Sequence, residues 1–65
     1  MGLEEALRLL GREPLEAGGV LRLFEEKLGL RRMEARRLLA RLVSEGLVER
    51  VPDYGRGRMV FRRAA

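Results

Sequence analysis

The sequence predicts a mainly α domain closed by a small β-hairpin, an α+β fold in the order helix, helix, helix, strand, strand. Three observations carry that reading. Apolar residues recur at helical spacing in three stretches, each followed by a glycine: Gly11, Gly29 or Gly46. Beyond Gly46 the pattern changes to two short runs, 47–51 and 58–62, with the composition of strands. Between them Asp53, Tyr54, Gly55, Arg56 and Gly57 form a turn-rich connection suited to a hairpin. A chain of 65 residues and 7.4 kDa leaves room for one core, so residues 1–65 are read as a single domain.

Helix 1 is expected over residues 2–10, where Leu3, Ala6, Leu7 and Leu10 share a stripe and Glu4 and Glu5 favour the helix start. Leu9 falls off that stripe and is a candidate dimer contact. Pro14 breaks the chain, and residues 15–17 are too few for more than a link or a very short strand. After Gly18 and Gly19, the stripe Val20, Leu21, Phe24 and Leu28 predicts helix 2, with Arg22, Glu25 and Glu26 outward and Gly29 as its stop. Leu30 is a turn residue able to point inward. Helix 3 is expected over 31–45, ended by Gly46, and the first strand is expected to close at Pro52.

Composition excludes several function classes. With no Cys and no His, disulfides are ruled out and only carboxylates remain as side-chain metal ligands, so no cofactor or metal is expected. Ser44 and Tyr54 are the only hydroxyl side chains, which argues against an enzyme. No apolar run approaches the roughly 18 residues of a membrane span, and the N-terminus lacks the pattern of a secretory leader. A cytoplasmic protein without a membrane partner is expected.

Net charge is +4, but it is unevenly placed. Residues 1–30 hold four basic and six acidic residues, a balance of −2, whereas residues 31–65 hold ten basic and four acidic, a balance of +6. Thirteen of the fourteen cations are Arg, whose planar fork suits phosphate or guanine, although a GC-rich genome also raises Arg over Lys. Asn, Gln, Thr and Ile are absent as well, which fits a heat-adapted, thermophile source or compositional drift.

On a helical wheel, Ala35, Leu38, Leu39 and Leu42 span an arc of roughly 100°, the width of a core-facing stripe. The opposite arc carries Met33, Arg36, Arg37, Ala40, Arg41 and Ser44, with Arg31 and Arg32 at its start. A helix fits the DNA major groove, where Arg donates to guanine and an apolar side chain touches a thymine methyl. Met33, Arg36 and Arg37 are therefore candidate base readers. A charged outer face also simply solvates a helix, and both readings stand at this point. Arg56 and Arg58 flank Gly57, where they would straddle a phosphate backbone or enter a minor groove.

The segment 28–50 resembles the winged helix-turn-helix family of prokaryotic DNA-binding proteins. The likeness rests on Leu28-Gly29-Leu30 at the turn, the paired apolar positions of helix 3, and the ending Gly46-Leu47-Val48-Glu49-Arg50. With helices 1 and 2 and the hairpin it covers nearly the whole chain. The resemblance implies a three-helix winged helix-turn-helix domain that binds double-stranded DNA as a transcriptional regulator. Arg31, Arg32, Arg36, Arg37 and Arg41 would then serve the recognition helix, and Arg56 and Arg58 the 53–57 wing on adjacent backbone. Specificity would call for a homodimer on a two-fold site or a larger protein partner. The family also includes protein-interaction modules, which is the alternative function. A ferrous-iron-uptake group whose wing carries cysteines shares the fold, but an iron-sulfur role is excluded here by the absence of Cys. Two positions depart from the pattern. Glu25 stands where a small Ala is common, implying a looser crossing of helices 2 and 3. Arg31, Met33 and Glu34 replace the Ser or Thr that cap helix 3, a loss of about 1 kcal/mol.

Overall fold

The computed structural model, which describes residues 2–11 and 13–64, runs in the order α1 (Leu3–Leu9), β1 (Leu15–Glu16), α2 (Ala17–Leu28), α3 (Arg32–Ser44), β2 (Val48–Asp53) and β3 (Arg58–Arg63). The three helices and closing hairpin follow the expected order, with one strand added between the first two helices. That strand falls in the 15–17 stretch read as a link or a very short strand, and it ends at Glu16, since Ala17 begins α2. Too short to stand alone, it forms by pairing antiparallel with β3, Leu15 opposite Phe61 and Glu16 opposite Val60. The sheet order is β1-β3-β2, so β3 is central and each partner covers one of its edges.

Two sequence-based boundaries are corrected. Gly18 and Gly19, expected to precede helix 2, lie inside α2, which begins at Ala17. Neither has a positive φ. Burial of Val20, Leu21 and Phe24 in the same helix offsets the cost of about 1 kcal/mol per helical glycine. Pro52, expected to close the first strand, sits inside β2 opposite Met59. β2 is an edge strand, where a missing N–H is tolerated. The turn proper is accordingly 54–57 rather than 53–57, closed by donation from the N–H of Gly57 to the Asp53 carbonyl at 2.8 Å.

The core gathers Ala6 and Leu10, then Val20, Leu21 and Phe24, then Ala35, Leu39 and Leu42, then Val48. Leu3, Leu7, Leu28, Leu30 and Leu38 pack against it half-buried, as their stripes require. Leu9, the candidate dimer contact, also joins this shell and is half-buried. No polar or charged residue is buried among those described. No helix among the described residues is long and apolar enough to cross a membrane.

Both ends of α3 are pinned by local hydrogen bonds. At its start Arg31 has no acceptor to cap the first turn, but Glu34 reaches back and accepts from the Arg31 N–H at 2.9 Å. At its end the N–H of Leu47 donates to the Leu42 carbonyl at 2.9 Å and that of Gly46 to the Val43 carbonyl at 3.0 Å, the paired bonds of a Schellman motif. Gly46 supplies the left-handed residue, with φ 76°. Gly46→Ala is expected to cost about 1–2 kcal/mol, read as a lower urea midpoint. Gly18→Ala, where an added Cβ meets nothing within 4 Å, is expected instead to raise the midpoint. An unchanged midpoint for Gly46→Ala would show that α3 does not end on a left-handed residue.

Candidate nucleic-acid interface

The exposed side of α3 follows from which of its residues the core takes. Ala35, Leu39 and Leu42 are buried and Leu38 and Val43 half-buried, which turns Arg32, Met33, Arg36, Arg37, Ala40, Arg41 and Ser44 to solvent. Arg31, the residue before the helix, is exposed too. Met33 is 58% exposed, a large apolar side chain placed among cations. The helix is held at a fixed angle by the turn 29–31, in which Gly29 takes φ 67°.

The cations divide by whether an acid already holds them. Arg32 meets Glu25 of α2 at 3.2 Å, and Arg41 meets Glu45 one turn on at 2.8 Å. In the hairpin, Arg56 lies 3.9 Å from Asp53, and Arg58 is paired with Glu16 of β1. Such half-exposed pairs contribute about 0–1 kcal/mol each, so a phosphate competes with the acid at little cost. Among the described residues, Arg31, Arg36 and Arg37 have no ion-pair partner. Of the candidate residues on α3 and the hairpin, these three are the cations most open to an anion.

Glu25 therefore does more than widen the crossing expected of it. Rather than leaving helices 2 and 3 merely loose, it ties them through Arg32. Glu34, whose carboxylate binds backbone at the helix start, is likewise engaged.

Arg36 and Arg37 diverge by about 100° around the helix. Arg37 and Arg41 border a shallow groove against Leu3 of α1. Arg36, Ala40 and Ser44 border another groove, shared with Arg50 and Phe61 of the sheet. Arg56 and Arg58 are exposed at the hairpin, beside Tyr54, which is 90% exposed. The two grooves beside the hairpin turn are lined by residues 13–19 and by the sheet, not by α3.

Arg50 is the residue that sequence reasoning passed over. It ended a motif and was not assigned a face. Strand alternation supplies the missing signal, because Arg50 lies two residues beyond buried Val48 and opposite Phe61, on the side of the sheet that meets the helices.

No set of three or more acidic, His or Cys side chains that would hold a metal occurs among the described residues. Comparisons with protein-family models, with curated proteins and with solved structures gave no match for this chain.

Proposed function

We propose that the chain is a winged helix-turn-helix domain that binds double-stranded DNA and acts as a transcriptional regulator in the cytoplasm. The observation that carries this is the exposed face of α3, where Arg31, Arg36 and Arg37 stand without an acidic partner among the described residues. In this reading α3 enters the major groove, with Arg36 and Arg37 toward base edges and Met33 toward a thymine methyl. Arg32 and Arg41, released from Glu25 and Glu45, turn to phosphates, and Arg56 and Arg58 bring the hairpin onto adjacent backbone. Binding is the whole of its chemistry, and no catalytic step or cofactor is invoked. A second copy on a two-fold site, or a larger partner, supplies the footprint that one such domain lacks.

A second reading, a protein-interaction module on the same fold, draws on one observation. Four of the eight candidate residues are already paired with acids, which weakens the field seen by a polyanion. Amide NMR with a short duplex separates the two. DNA binding is expected to shift signals on the exposed side of 31–44 and at 54–58 while leaving α1 still. Shifts centred on α1, or none at low salt, would contradict the proposal.

A further inference from the structure

Between α3 and the sheet runs a groove of about 570 Å³ whose apolar walls the DNA reading does not use. Its walls are apolar: Leu21 of α2, Leu39, Ala40 and Val43 of α3, and Phe61 of β3. Arg36 and Arg50 also line it; both are exposed, and neither has an ion-pair partner among the described residues. The volume falls in the range of roughly 300–1,000 Å³ typical of small-ligand sites.

We propose that this groove binds a small anionic amphiphile, a straight-chain carboxylate whose tail covers the apolar walls and whose head meets Arg36 and Arg50. Charge and polarity together select this class. A bare phosphate satisfies the two guanidinium groups but leaves the apolar walls in water. An apolar or cationic molecule covers the walls but leaves both arginines unmatched, and a cationic one is repelled by them. A second copy of this chain is also disfavoured, because it carries a net +4 toward a cationic rim. The larger groove of about 730 Å³, beside the hairpin, does not suit the same ligand. It is lined by Glu13, Glu16 and Asp53, and its Arg56 already faces Asp53.

Arg36 belongs both to this groove and to the proposed DNA face, so an occupied groove would weaken DNA binding. That consequence rests on the DNA reading; the site itself does not. The test therefore omits DNA. The ¹⁵N-labelled protein is titrated, below micelle concentrations, with sodium decanoate, with decylammonium chloride and with inorganic phosphate. Decanoate alone is expected to saturate, shifting the amides of Ala40, Val43 and Phe61. Arg50→Gln is expected to weaken it about ten-fold, the loss of one charge-assisted hydrogen bond. Ala40→Phe, at an exposed helical position, is expected to block the groove with the fold unchanged by circular dichroism. Equal binding of decylammonium would reduce the groove to an apolar patch and overturn the proposal. Equal shifts with phosphate would reduce it to charge attraction, and no shift with decanoate would remove the site; either result overturns it too.

Discussion

Phe24→Ala is expected to leave the protein largely unfolded at 25 °C. Phe24 is fully buried and is the largest side chain in a core that receives residues from all three helices. Truncating a buried Phe typically costs about 3–5 kcal/mol, the lost transfer energy plus the cavity left behind. A domain of this size rarely gains more than about 3–5 kcal/mol from its single core. There are no cysteines to add a cross-link. The loss is therefore comparable with the whole stability. Far-UV circular dichroism with urea titration reads it directly, with Arg22→Ala, an exposed neighbour on α2, as the control expected to stay within about 0.5 kcal/mol of wild type. A cooperative transition near the wild-type midpoint for Phe24→Ala would mean that Phe24 does not hold the helices together.

Arg37→Ala is expected to have the largest single effect on DNA recognition with little effect on folding. Arg37 is exposed and has no acid to strand when it is removed, so the change is confined to binding. If its fork reads guanine, binding to a selected preferred site weakens by about 1–3 kcal/mol while random duplex is nearly unaffected. Equal losses on both, with the salt slope shallower by about 0.9, would assign it to a phosphate instead. Arg41→Ala is the contrasting variant. It removes a cation but also frees Glu45 to repel phosphate, so its loss should be spread evenly over all sequences.

α3 was legible in the sequence because every level agrees there. The Ala35, Leu39 and Leu42 stripe sets its buried face, and Gly46 sets its end. β1 was legible only as one of two alternatives, a link or a very short strand, because two residues carry no periodicity and become a strand only through Val60 and Phe61, far along the chain. Gly18 and Gly19 misled for a related reason. Local propensity argued for a break, and the burial of the residues that follow overrode it. Pro52 signals a strand end only where its N–H would be needed, and an edge position does not need it.

The candidate interface divides the same way. Helical periodicity was enough to place Arg32, Met33, Arg36, Arg37 and Arg41 outside, while Arg31 proved to be the exposed residue just before the helix. It says nothing of which acid lies near which arginine across the fold. The pairs Arg32 with Glu25 and Arg58 with Glu16 join separate elements and emerge only when α2 meets α3 and β1 meets β3. Arg50 joins Arg36 by the same route, through the packing of sheet on helix.

In the proposed complex the exposed α3 face and the hairpin engage the DNA backbone and groove. The most direct measurement is fluorescence anisotropy of labelled random-sequence duplex titrated with the protein across a salt series, with light scattering for stoichiometry. About five phosphate contacts should give a log-log slope near −4.5, from roughly −0.9 per contact, in a complex of defined size. Absence of binding at low salt would contradict the account.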